Sequence, residues 1–124
     1  MGNEKETAIG HILKAVIYSW NGIKAAWTRE LAFRIETVVI AVLLPIGIWI
    51  CETAVERALL IGSSLLVLIT ELLNSAVEKV VDRIGSERHI LSKHAKDLGS
   101  AAAAVSMLTA AVIWGLIIYE RLFR

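Results

Sequence analysis

The sequence predicts an all-α membrane protein: an N-terminal amphipathic surface helix followed by three transmembrane helices. Three observations carry this reading. The 124-residue chain is 56% hydrophobic with a single proline, and its mean hydropathy of +0.65 is too high for an ordinary soluble domain of this size. Long stretches hold few charges or none. Acidic residues nevertheless enter one of those stretches at helical spacing.

Length allows one domain, 1–124, and the sequence shows no internal repeat or low-complexity segment. Net charge is +1, so no strong field points to nucleic acid. The single cysteine, Cys51, excludes an internal disulfide and a multi-cysteine metal site. It reads as small apolar filler near a helix end. The N-terminus is polar and lacks the pattern of a signal peptide.

The first element is expected over 8–28. Ile9, Ile12, Leu13, Val16, Ile17, Trp20, Ile23 and Trp27 recur at three- and four-residue steps and line one helix face. Lys14 and Lys24 lie off that stripe, and Trp20 and Trp27 suit a headgroup belt. A helix lying on the membrane surface fits best; the alternative is a helix packed only against protein. Asn21-Gly22 marks a candidate break.

The first span is expected over 31–51, with Arg34 and Glu36 at the headgroups. The second is expected over 58–81. Gly85-Ser86 marks its end, and the polar Ser86–Lys96 segment reads as partly helical. Asp97-Leu98-Gly99-Ser100 is expected to start the third span, 98–119. Leu98 to Tyr119 holds no charged residue; at about 1.5 Å per residue it can cross a hydrocarbon core of about 30 Å.

Basic residues set the orientation. Lys5, Lys14, Lys24, Arg29 and Arg34 precede or open the first span. Lys79, Arg83, Arg88, Lys93 and Lys96 cluster after the second, while the connection between the first two spans has only Arg57 beside Glu52 and Glu56. The positive-inside rule puts the N-terminus in the cytoplasm and the C-terminus outside. Arg121 and Arg124 work against the second placement.

The chemistry lies in residues 69–83, ITELLNSAVEKVVDR. With Glu71 at zero and about 100° per residue, Asn74, Ser75, Glu78 and Asp82 fall between about −60° and +40°. They form one polar stripe on an otherwise apolar helix. An acidic residue near a helix centre costs roughly 2.5–3.5 kcal/mol on insertion scales. The stripe must therefore face a partner, a metal or a water-filled pocket. A polar seam that joins helices would account for Asn74 and Ser75 alone. Glu71 and Glu78 ask for more.

Paired carboxylates can hold Mg²⁺ through hard oxygen ligands while leaving positions open for phosphate. One carboxylate can also take a proton from a hydroxyl. Together these suit phosphoryl transfer. No Walker-type loop or protein-kinase glycine loop is present, so scattered side chains would hold ATP. Glu30, where the surface helix meets the first span, is either a ligand or a solvated charge. Lys96 and Asp97 read on their own as a helix start. His11, His89 and His94 show no metal-ligand spacing.

The segments ELLNSAVEKVVDRIGSE (71–87), AKDLGSAA (95–102), YSWNGIKAAW (18–27) and ELAFRIE (30–36) resemble the prokaryotic integral-membrane diacylglycerol kinases over nearly the whole chain. The resemblance implies a homotrimer in the bacterial inner membrane, with active sites between subunits. It implies transfer of the ATP γ-phosphate to the primary hydroxyl of diacylglycerol, giving phosphatidic acid, with Mg²⁺ as cofactor. Glu71 would be the catalytic general base, Glu30 and Glu78 the metal ligands, and Asn74 a supporting residue. ATP would contact His11, Tyr18, Glu30, Glu78, Glu87, Arg88, His89, Lys96 and Asp97. The lipid would lie along His11, Ala15, Tyr18, Ser19 and Trp20, along Ile23 to Ala26 and Leu31 to Ile35, and against Trp49, Glu71, Ser100 and Trp114. The chain departs from the family pattern at His11, commonly Arg, at Ile35, commonly polar, and at Lys93-His94, commonly Gly-Arg. None of these touches the acidic core.

Two competing readings stay open at this point. An undecaprenol kinase would share the acidic core. A small proton-coupled transporter would use Glu71 as a relay, but would not need Glu30, Lys96 and Asp97 around a nucleotide.

Overall fold

The computed structural model describes residues 7–85 and 89–124; the expected nucleotide contacts Glu87 and Arg88 lie outside them. The described chain is all-helical, with α1 at Ala8–Arg29, α2 at Leu31–Ile50, α3 at Ala54–Ile84 and α4 at Ile90–Phe123. The last three are long and apolar enough to cross a membrane. Helices suit such segments because every interior N–H finds its carbonyl within the helix.

Thr7 opens α1, its hydroxyl accepting from Gly10 N–H at 3.2 Å. The helix runs through Asn21-Gly22 without a break. One residue, Glu30, separates α1 from α2. Its backbone is extended, yet its N–H still bonds the Ala26 carbonyl and its carbonyl accepts from Arg34 N–H. That corner carries the Glu30 side chain out of both helical paths. Pro45 lies inside α2.

α3 begins at Ala54, earlier than the expected span at Ala58. Thr53 and Glu56 form a reciprocal capping box: the Thr53 hydroxyl accepts from Glu56 N–H, and Glu56 Oε2 accepts from Thr53 N–H at 3.0 Å. α4 also begins early, at Ile90, ahead of the expected start at Asp97–Ser100. His89 Nδ1 accepts from Leu91 N–H, and Lys93 reaches Asp97 one turn on. The polar stretch Ile90–Lys96 therefore continues the helix instead of preceding it.

α3 is the central helix and packs mainly against α4, with α2 on its other side. Contacts with α4 run antiparallel: Glu56 meets Arg121, Thr70 meets Ser106 at 2.7 Å, and Asp82 meets Lys96 at 2.6 Å. Small residues on α4, Ala103 and Ser106, are buried against α3 and permit close approach. Cys51, Leu60 and Ile117 form an apolar cluster beside Leu44, Ile113 and Trp114. Cys51 thus fills the place expected of it.

Two features fix the end of the bundle that carries the α2–α3 turn. Arg121 reaches Glu52 at 3.0 Å and Glu56 at 2.5 Å, tying α4 to the turn, and Arg57 donates to the Cys51 carbonyl at 2.9 Å. Gly47 lies against the Trp114 ring; a Cβ there would sit 2.6 Å from a ring carbon and 2.9 Å from Leu60 Cδ1. Gly47→Ala should therefore destabilise the protein by about 1–3 kcal/mol through overpacking, read as a lower thermal midpoint in detergent. The Arg121 side chain is 14% exposed, against 73% for the Arg124 side chain that pairs with Glu120. Arg121→Met should lower the same midpoint, whereas Arg124→Met should leave it unchanged, because exposed ion pairs contribute little.

Candidate functional site

α3 turns Glu71, Asn74 and Ser75 inward, while Lys79 and Asp82 stay exposed. Glu71, Asn74 and Ser75 are buried at 7%, 9% and 8% exposure, and Glu78 is half-buried. Leu73, Ala76 and Val80, on other faces of the same turns, are exposed. The helical period alone produces this: residues three, four and seven positions from Glu71 return to its face.

Asn74 links the stripe internally. Its Nδ2 donates to Glu78 Oε1 at 3.4 Å, one turn along. Its Oδ1 is buried and makes no hydrogen bond among the described residues. Glu30 arrives from the α1–α2 corner and pairs with Lys79 of α3 at 2.6 Å. The Glu71 carboxyl lies within electrostatic reach of Glu30 and Glu78, and Glu36 lies within reach of Glu71. Two helices and the corner between α1 and α2 thus bring carboxylates to one region. Among the described residues, no three His, Cys, Asp or Glu side chains converge as a ready chelate.

Lys96 and Asp97 sit beside the stripe, on α4. Lys96 bonds Asp82 at 2.6 Å and Asp97 accepts from Lys93 at 2.7 Å. Both pairs are exposed at the end of the bundle where α3 finishes and α4 starts. His89 caps α4 there. His11 and Tyr18 lie on the exposed face of α1.

Grooves run beside the carboxylates. One of about 590 Å³ lies between α1 and α3, lined by Ser19, Ile23, Ala26, Glu30, Ser75 and Lys79 among others. A second, of about 700 Å³, is apolar and takes Trp20, Trp27, Phe33, Leu65 and Leu72. A third, of about 410 Å³, lies between α2 and α4 and takes Ile35, Glu36, Ser64, Met107 and Trp114. Ser19, Trp20, Ile23, Ala26, Ile35 and Trp114, all expected to meet lipid, therefore line grooves. Ala15 lines a shallow hollow on α1 with His11. Leu31 and Ser100 are exposed. Trp49 is 86% exposed near the far end of α2; on α3 the matching level lies about 25 Å along the axis from Glu71. The single chain does not bring Trp49 to the carboxylates.

Three further residues bear on the site. Lys79 holds Glu30, and only the corner geometry reveals the pair. Glu36, expected at the headgroups, turns inward; its Oε2 is buried and has no hydrogen-bond partner among the described residues. Asp82 was placed on the stripe but without a role, and it holds Lys96. The offsets of four residues from Glu78 and eleven from Glu71 are the signal the sequence offers for Asp82; Lys79 and Glu36 have none.

The sequence model of the family described as prokaryotic diacylglycerol kinase matches residues 17–118. Proteins named diacylglycerol kinase align with nearly the full chain. That of Escherichia coli (strain K12) is 48% identical, covering 92% of this chain and 93% of its own. That of Haemophilus influenzae is 45% identical, covering 93% and 98%. That of Pseudomonas aeruginosa is 46% identical, covering 91% and 92%. A carboxylate buried on α3, a corner that brings Glu30 within its electrostatic reach and similarity across nearly the whole length agree: the chain belongs to the prokaryotic diacylglycerol kinase family.

Proposed function

We propose that this protein is a lipid kinase of the bacterial inner membrane. It transfers the γ-phosphate of ATP to the primary hydroxyl of diacylglycerol and releases phosphatidic acid and ADP. The observation that carries this reading is the buried Glu71 carboxyl on an otherwise apolar helix, sharing its face with Asn74 and Glu78. A purely structural helix gains nothing from it, since removing a buried carboxylate usually stabilises a membrane segment.

Glu71 acts as general base. As the lipid oxygen forms its bond to the γ-phosphorus, the hydroxyl proton passes to a Glu71 carboxylate oxygen. The bond from phosphorus to the β-phosphate oxygen breaks, and ADP leaves. Transfer is direct, in line, with no phospho-enzyme. The residues present suit a divalent metal: Glu30 and Glu78 are hard carboxylate donors, and phosphate oxygens can complete the set that Mg²⁺ favours. When bound, the metal neutralises charge on the phosphate oxygens. Lys79 balances Glu30 and holds it at the corner. Asn74 keeps Glu78 facing the site. Lys96 and Asp97, on exposed side chains one step towards water, suit the nucleotide, together with Tyr18, Glu87, Arg88 and His89.

The arrangement also suits where the substrates live. Diacylglycerol stays in the bilayer and ATP in the cytoplasm. α1, lying along the membrane surface with its apolar face in lipid, would form the floor of the groove beside Glu30. Ile9, Ile12, Leu13, Val16, Ile17 and Trp20 are all more than half exposed, which supports that placement. α2 exposes Val38, Val42 and Ile46 in the same way, and lipid or neighbouring subunits of a homotrimer would cover them. A neighbouring subunit would also close a site that one chain leaves open. The N-terminus would be cytoplasmic and the C-terminus outside.

The test is ATP-dependent phosphorylation in mixed micelles with Mg²⁺, offering diacylglycerol and undecaprenol side by side. The wild type should yield phosphatidic acid. Glu71→Gln keeps the shape and removes the base, and should lower kcat by about 10²–10⁴-fold. Undecaprenyl phosphate as the main product would reassign the substrate. No lipid phosphate from folded protein would overturn the kinase reading.

A further inference from the structure

Gly99 lies on α4 opposite Asn74. A Cβ built on Gly99 would stand 2.5 Å from Asn74 Oδ1, 3.5 Å from Cγ and 3.6 Å from the Asn74 Cα. The backbone could accept that extra carbon at ordinary contact distance, but the amide could not. The Gly99 C–H that a side chain would replace therefore points at Oδ1. That oxygen is the buried one with no hydrogen-bond partner among the described residues.

The amide cannot turn round to escape. Reversed, it would set its carbonyl oxygen against Glu78 Oε1, acceptor against acceptor. As placed, Nδ2 donates to Glu78 Oε1, and Oδ1 rests against the Gly99 methylene, a contact of the weak C–H···O kind. Both ends of Asn74 are thus spoken for, one by a carboxylate and one by the absence of a side chain. Gly62 and Gly115 differ: a Cβ at either meets nothing within 4 Å. Helix packing in general does not ask for glycine at those two positions.

We propose that Gly99 is a positioning residue for phosphoryl transfer. Its bare Cα lets α4 press on the Asn74 amide and fix it in the orientation that serves Glu78. The inference rests on the lipid-kinase reading of the same site. Alanine at 99 leaves the helices packed and pushes the amide off Glu78.

The experiment compares full-length wild type with Gly99→Ala, Asn74→Ala, the double variant and Gly115→Ala, an open position on the same helix. Three quantities are read in detergent: lipid phosphorylation against Mg²⁺ concentration, Mn²⁺ binding by EPR, and the thermal midpoint. Loss of a partner that orients a metal ligand typically weakens metal affinity or activity about 10–100-fold. Gly99→Ala should show a loss of that size, raise the Mg²⁺ needed for half-activity and weaken Mn²⁺ binding, with a midpoint matching Gly115→Ala. The double variant should be no worse than Asn74→Ala, because both changes act through one amide. Activity in Gly99→Ala within roughly twofold of Gly115→Ala, or losses that multiply in the double variant, would overturn the proposal. A loss that tracks a fallen midpoint would also overturn it, assigning Gly99 to packing. If the wild type phosphorylates no lipid, the kinase reading falls instead. Mn²⁺ binding then decides on Gly99, and equal binding in Gly99→Ala and Gly115→Ala overturns its role.

Discussion

The expense of holding Glu71 inside an apolar helix shapes the rest of this structure. Glu71 is 7% exposed, and an acidic group at such a position costs several kcal/mol unless something meets it. Each neighbouring element reads as an answer to that demand. α3 gathers its other polar residues on the same face. α4 supplies small residues, so that it can come close without covering the stripe with bulk. The α1–α2 junction narrows to one extended residue, and that residue is Glu30.

Charge balance follows from the same constraint. Glu30 and Glu78 each disfavour a charge on Glu71. Lys79 offsets Glu30, and Asn74 donates to Glu78. Among the described residues, Glu71 receives no comparable partner. Of these three carboxylates, the one without such a partner is the one proposed to take a proton. At the opposite end, by contrast, Arg121 of α4 pairs directly with both Glu52 and Glu56. The two ends of the bundle use the same residue types for different purposes.

The spans and the stripe were legible in the sequence because both are periodic: apolar length marks the first, and the 3.6-residue repeat marks the second. Glu71, Asn74 and Glu78 could be put on one face with no structure at all. Helix starts were less legible. Glu52, Glu56 and Arg57 read as a charged connection, although Glu56 forms a capping box with Thr53, and the partly helical segment expected before the third span belongs, from Ile90 on, to the same helix. The corner pair Glu30–Lys79 and the inward turn of Glu36 depend on how separate helices meet, which no local pattern encodes. Gly99 was read as part of a helix start; its use lies in what stands opposite, on another helix.

The central claim is that the Glu71 carboxylate accepts a proton and never bonds to phosphorus. The stereochemistry at the γ-phosphorus tests this most directly. ATP made chiral at that phosphorus with oxygen isotopes would be used to phosphorylate diacylglycerol, and the configuration of the product read by ³¹P NMR. One in-line transfer predicts inversion. Retention would require two displacements and a phosphorylated enzyme, which would make a carboxylate the nucleophile and contradict the account.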